Sequence, residues 1–588
     1  MLAPNRETLV RSNYLGSGGR EMPSAASISI KETLALLDNE FKGLSEGIGR
    51  AQYAFWLGSG ISRDRVIGLD GVLAKLLEFL RIHTTAAADC KYRVALEKII
   101  AMAAPSADER ARIDFSQPVA TWPDLSIILK RLWNQYSAVL STDIPGENLD
   151  YLLWVGLDFP HTFSAQPADA EHLAIGMLAL EGVVTELATA NWDGLLEAAM
   201  KELGHNETFY QITVTGEELR NPASATVLYK FHGCALRAIT NEAEYRPLLI
   251  ARTAQITGWT SNETFKIVRD QLSALLQRSR TLMIGMSAQD EDIKHLFASV
   301  NAQKGWKWTD QPTPIVFSAD ELGDDQKNVL IGAYGEPDYE GHRVEICEAA
   351  RLRAYAKPLL LGLLLHVLAA KLKILASDAM DGHLDQTARD AIEGGIKTLR
   401  DRIADAGNSD RLGLVRAIAA GLARARHQLQ NGVSDPGIPS YFPLDGDPTH
   451  RMKDKLALKS SGQREAAVAL GLIGLEEQDA NWVCSVDDPV DARTGALRLT
   501  SPNASARVIF AANDDTVTSL LDVGAFDESD DDAVVICSGR VSERQQRSPS
   551  ASMRSGALGP RYVAFGSMLS GVSDLDELRA QFRGEAGL

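Results

Sequence analysis

Residues 53–64 read YAFWLGSGISRD. Five apolar residues run into Gly58-Ser59-Gly60-Ile61-Ser62. The stretch GLDGVLAKLLEFLRI then sets Leu69, Val72, Leu73, Leu76, Leu77 and Leu80 on one helical face. This is a buried strand, a bare turn and an amphipathic helix. Glycines after a strand permit positive φ and close backbone approach, and a helix N-terminus favours phosphate. An ordinary strand-to-helix turn has the same pattern. The loop lacks the full GxGxxG fingerprint. Asp64 is unwelcome beside phosphate unless it points away or pairs with Arg63 or Arg65.

The same alternation continues outward. Strands are expected at 183–189, in TVLYKFHG, TLMIGMS and PIVFS, and in a last short run, RVEIC. Helices are expected between them and over 29–50. Residues 85–180 show helical patterns and no strand alternation, so they read as a helical insertion. Strands alternating with helices give an α/β fold with a Rossmann-like parallel sheet. Residues 351–431 read as helical and 432–588 as a mixed α+β module with short strands such as ALRLT, ARVIFAA, AVVICSG and RYVAFGS. The expected division is a disordered tail at 1–28, an α/β domain at 29–350, and these two C-terminal regions.

Ligands of parallel sheets sit at the carboxyl ends of strands. Three more such ends carry polar or glycine residues: Thr189-Ala190-Asn191-Trp192-Asp193, His232-Gly233, and Gly285-Met286-Ser287. Each has a plain structural reading. Asn191 and Asp193 suit a helix N-cap, His232 can be a satisfied core histidine, and Asp290, Glu291 and Asp292 complement a helix dipole.

In order and spacing the four motifs together resemble the sirtuin family, over roughly residues 45–350. That family reads glycine-alanine-glycine-x-serine, threonine-x-asparagine-x-aspartate, histidine-glycine and glycine-x-serine. Here Ser59 stands for the alanine, and RDRVIGLDG replaces a proline-aspartate-phenylalanine-arginine stretch. The two CxxC pairs of the deacylase zinc ribbon are missing. These departures, with QDEDI after the last motif, are similar to the sirtuin-like NAD-degrading effectors of bacterial antiphage defence.

The resemblance implies NAD+ as substrate, hydrolysed to ADP-ribose and nicotinamide, with no zinc. It implies that Asn191, Asp193 and His232 are catalytic, with His232 as the base. Gly58, Ser59, Gly60, Ile61, Ser62, Thr189, Gly285 and Ser287 would hold the dinucleotide, the first loop by its backbone N–H groups. It implies a homo-oligomer and a partner such as a HerA-type ATPase, a short Argonaute or a phage protein, without choosing among them. A sensor that binds NAD+ or ADP-ribose without turnover, and an NAD-dependent deacylase, are the alternatives.

Bulk properties limit the rest. A chain of 588 residues is too long for one core and sets an expectation of about two to four domains. A net charge of −18 argues against a surface that coats nucleic acid. Arg540–Arg561 forms a local arginine-rich segment after the acidic run Asp527–Asp532; it reads as a flexible solvated loop, with contact to nucleic acid, to a partner's acidic face or to the acidic run itself as the alternatives. Five scattered cysteines offer no zinc spacing and fit a reducing cytoplasm. The most apolar run, Leu359 to Ala370, is shorter than the roughly 20 residues a membrane span needs and reads as a core helix.

Overall fold

The computed structural model describes residues 23–87, 89–206, 209–220, 225–434, 440–487, 491–502, 504–539 and 559–587. Seven strands form the first sheet: β1 Tyr53–Leu57, β2 Glu186–Thr189, β3 Tyr210–Thr213, β4 Thr226–Lys230, β5 Arg280–Ile284, β6 Ile315–Ser318 and β7 Arg351–Leu352. Their order is β3-β4-β2-β1-β5-β6-β7, and every pairing is parallel. All five residues of β1 are buried, as a central strand covered on both faces requires. From β1 the chain builds outward to one side, then crosses back at β5 and builds to the other. The switch point lies between β1 and β5, and the crevice outside their carboxyl ends is where such sheets bind ligands.

In this sheet three strands depart from expectation. β3 carries no clear alternation and, like the two-residue β7, was not foreseen. RVEIC is not a strand: it lies in the helix Arg343–Ala349. Ile346 is its buried position, Ala350 at the C-cap four residues on is buried too, and Val344 is exposed; that is a helical spacing. Residues 29–50 form two helices, Ile30–Asp38 and Lys42–Gly49, the first opened by a Ser29–Glu32 capping box. Residues 23–28, expected in the tail, are packed. Ala25 and Ile28 are buried, and the Ala25 N–H donates to Asp320 Oδ1 at 2.9 Å. Residues 1–22 lie outside the described residues.

Between β1 and β2 the described chain is helical, with a core of its own. Leu73, Leu76 and Leu80 of the helix Leu69–Ile82 meet Leu96, Ile99, Ile128, Leu132 and Phe159. The segment ends in the helix Ala170–Leu180, buried along its whole length beneath the sheet.

C-terminal to β7 runs the helix Ala356–Met380. It is long and apolar enough to cross a membrane, but 72% of its apolar window is buried inside the protein. The helices Gln386–Ala406, Arg411–Asn431 and Gln463–Gln478 follow. A second sheet contains β8 Val483–Val486, β9 Leu497–Thr500, β10 Ser505–Ala511, β11 Ala533–Cys537 and β12 Arg561–Ala564, in the order β12-β11-β10-β9-β8. β10, β11 and β12 are parallel, whereas β8 and β9 run antiparallel. The acidic run is engaged inside this unit: Arg493 pairs with Asp527 and Asp530, and Arg507 with Asp530 and Asp532. Of the arginine-rich segment, residues 540–558 lie outside the described residues, and Arg561 donates to the Asp531 carbonyl at 2.8 Å.

Candidate functional site

The four motifs meet at the switch point. Gly58 opens a single 3-10 turn, Ser59–Ile61, whose backbone lies directly on that of Gly285 at the end of β5. A Cβ on Gly58 would stand 2.4 Å from the Gly285 carbonyl oxygen, and one on Gly60 2.6 Å from Gly285 Cα. Gly285 has φ +65°, and a Cβ there would meet the Ile61 nitrogen at 2.7 Å. The loop is bare because two backbones touch.

That contact corrects the expected role of the loop's N–H groups. The Gly58 N–H donates to the Ile284 carbonyl and the Gly60 N–H to that of Gly285, both at 2.9 Å. The Ile61 and Ser62 N–H groups donate to the Gly58 and Ser59 carbonyls. What the loop offers an anion is Ser59, which is exposed and whose N–H and hydroxyl have no partner among the described residues. Asp64 pairs with neither Arg63 nor Arg65. It takes Lys357 of the helix Ala356–Met380, and Lys357 also meets Asp169 at 3.0 Å. The negative charge near the loop is thereby neutralised from the C-terminal region.

Ser62 organises the second motif. Its hydroxyl donates to Asp193 Oδ2 at 2.8 Å, and having one proton it must accept from Asn191, at 3.2 Å. Asn191 therefore turns Nδ2 towards Ser62 and the Gly58 carbonyl, 3.1 Å away, and its Oδ1 has no hydrogen-bond partner among the described residues. Asp193 Oδ1 also accepts the Leu195 N–H at 3.3 Å, so part of its work is the helix cap. Thr189 is committed within the protein: its hydroxyl donates to the Leu57 carbonyl and accepts the Asn191 N–H.

His232 follows β4 and is 3% exposed. Its Nε2 lies 2.6 Å from Asp292 Oδ2, and Nδ1 has no hydrogen-bond partner among the described residues. With the proton on Nε2 facing a carboxylate, Nδ1 holds the free lone pair. Burial pushes the imidazole pKa down, but the Asp292 carboxylate, with Asp290 behind it, holds it above its ordinary value. Asp290 accepts the Tyr136 hydroxyl at 2.8 Å, and burial holds its carboxyl above the usual range. Gly233, with φ +101°, turns the chain tightly after the histidine. Ser287 stands exposed beyond Gly285.

Sequence reasoning missed several members of this site. Asp292 and Asp290 read there as helix-dipole residues; nothing local says that one of them faces a histidine 60 positions away. Lys230, 1% exposed, donates to Glu197 Oε1 and to the Asp193 carbonyl, each at 2.5 Å, and so holds the Asn191–Asp193 turn from beneath. Burial would lower its pKa, but Cys234, Glu197 and Asp193 around it hold it above the ordinary lysine value. The one available signal was a lysine in an apolar strand, which needs a buried partner. Among the described residues no group of three or more His, Cys, Asp or Glu is placed to hold a metal ion.

A family model described as a SIR2-like domain matches residues 185–335. No curated protein matches the chain. The matched span contains Asn191, Asp193, His232, Gly285, Ser287 and Asp292. β1, the glycine loop and the helical segment precede it, so the match is narrower than the resemblance read from the four motifs. The seven-stranded sheet is a sirtuin-like fold, and the SIR2-like family binds NAD+.

Proposed function

We propose that this chain is an NAD+ hydrolase that cleaves the bond between nicotinamide and ribose. The observation that carries the reading is the His232–Asp292 pair, joined through Trp192 to the turn that carries Asn191, in a SIR2-like sheet. A module that only binds the dinucleotide has no need of an oriented base.

The chemistry follows from the bond. As the C1′–N bond breaks, positive charge develops on the ribose and nicotinamide leaves neutral, so no strong acid is required. The Asp193 side chain, fixed by Ser62, favours that developing charge. Asn191 Oδ1 accepts from the attacking water or a ribose hydroxyl. His232 Nδ1 takes the proton as water adds to C1′, and Asp292 stabilises the imidazolium that results. The products are ADP-ribose, nicotinamide and one proton. In this reading Ser59, Gly285 and Ser287 take the pyrophosphate and adenosine side.

The setting proposed is NAD+ depletion in bacterial antiphage defence, in the cytoplasm. Apart from the packed residues 23–28, the division is that read from the sequence, with 351–588 for regulation, assembly or partner docking. The Lys357 contact with Asp64 supports that role, since it ties the C-terminal region to the nucleotide loop. The test is nicotinamide release from NAD+ by the purified chain and by Asn191→Ala, alone and with lysate from phage-infected cells. Release that the substitution abolishes is expected. Tight NAD+ binding without release under every condition would replace the hydrolase with a sensor.

A further inference from the structure

Trp192 lies between the two residues of the catalytic turn, and its contacts reach both ways. Its indole Nε1–H donates to the His232 carbonyl at 3.0 Å, and its own carbonyl accepts the Ala235 N–H at 2.8 Å. The turn after β2 and the turn after β4 are thus stapled in both directions by one residue. The ring faces the helical segment between β1 and β2: its centroid is 5.8 Å from that of Phe159 and 5.5 Å from that of Phe163. Phe159 stacks on Trp154, and Arg246 lies over Trp154 while gripping Asp150.

The same helical segment reaches the other side of His232 through Tyr136, whose hydroxyl donates to Asp290 at 2.8 Å. Asp290 and Asp292 belong to one turn, and Asp292 holds the imidazole. His232 is therefore gripped at its backbone through Trp192 and at its ring through the Asp290–Asp292 turn. Both grips originate in one element outside the sheet. That element is strained where it meets Trp192. Leu152–Gly156 is a π-helical turn, and Asp158, immediately before Phe159, has φ +47°. Such strain persists only where surrounding packing fixes it.

We infer that Trp192 and Tyr136 are positioning residues through which the helical segment sets the geometry of His232. The inference rests on the hydrolase reading for its kinetic consequence only. Neither residue needs to touch NAD+; each acts on the histidine through another group. A displacement of about 1 Å at a reacting group is enough to lower a rate about a hundredfold.

Two conservative variants of the full chain test this. Trp192→Phe keeps a ring against Phe159 and Phe163 and removes the N–H on the His232 carbonyl. Tyr136→Phe removes the hydroxyl on Asp290. Each is expected to lower kcat for nicotinamide release at least about tenfold, leave KM within about threefold, and move the acid limb of the pH–rate profile. A merely structural role would lower the amount of folded protein and leave that limb in place. The second readout is the NMR titration of the His232 imidazole, which needs no turnover. It is expected to shift in both variants and in Phe163→Leu, which also carries the test if Trp192→Phe does not fold. Wild-type kcat with an unshifted His232 titration in these variants overturns the inference. If the unaltered chain neither binds nor cleaves NAD+, the hydrolase reading fails, and the titration alone decides the positioning role.

Discussion

The pairs His232–Asp292 and Lys371–Glu181 are both hidden from solvent, with side-chain exposures of 4% and 1% against 0% and 0%. They sit at opposite ends of the sheet and are wired differently. Lys371 spends its donors on the Glu181 carbonyl, Glu181 Oε2 and the Asp445 carbonyl. Glu181 Oε1 takes the Tyr441 hydroxyl and the Leu444 N–H. This network is filled, and it fastens the helix Ala356–Met380 and the 440–447 loop to the amino end of β2. His232, at the carboxyl end of β4, keeps one ring nitrogen unpartnered and holds its titration above the ordinary histidine range. A saturated buried pair is a joint; a buried pair with one atom left over is a place for chemistry.

The largest effect should come from breaking the joint. Lys371→Met leaves the Glu181 carboxylate buried and unpaired, which costs about 3–5 kcal/mol. Denaturant unfolding should show a loss of that size, with turnover per folded molecule unchanged. A loss below about 1 kcal/mol would show that the pair contributes little. At the other end, His232→Ala should lower nicotinamide release by about 10²-fold or more, with the circular dichroism spectrum preserved. Full activity in this variant would remove His232 as the base.

Asp292→Asn sharpens the contrast. In the proposed hydrolysis His232 acts as a base in its neutral form, so activity should fall as pH drops through its raised pKa. Removing the carboxylate lowers that pKa, and the acid limb should move to lower pH. The stability linkage has the opposite sense. A histidine raised in the folded state contributes fully below its ordinary value of about 6.5, and the contribution is lost as pH rises through the folded value. An acid limb that stays in place in Asp292→Asn would separate Asp292 from the titration.

The smallest effect belongs to a third buried group. Burial pushes the Glu171 carboxyl up to about 7, against the nearby Lys357. The folded state then holds a proton that the unfolded chain releases near pH 4.5, so stability falls as pH rises from there to about 7. Glu171→Gln should raise Tm by about 2–4 °C at pH 8 and change little at pH 4. Equal shifts at both pH values would assign the gain to packing.

Much of the sheet was legible because its signals are local. YAFWL, TLMIGMS and PIVFS are short apolar runs closed by glycine or serine, and each became a central strand. β3 was not legible: YQIT pairs along one side only and carries little pattern. RVEIC misled because β-branched residues suggested a strand where burial recurs every fourth residue. In the site, the four motif turns were found where strands end. Asp292, Tyr136, Trp192 and Lys357 were not read as site residues, because their roles depend on partners 40 to more than 290 positions away.

By itself, then, the sequence determined an alternating α/β layer, a bare loop after β1, and the turns that carry Asn191, Asp193 and His232. Periodicity and turn chemistry act over a few residues and survive in a linear reading. Only the tertiary structure decided that the glycines of 58–60 serve contact with Gly285, that Asp64 answers to Lys357, and that His232 faces Asp292. A buried charge or backbone group must find its partner wherever the fold brings one, and sequence separation does not enter that energy.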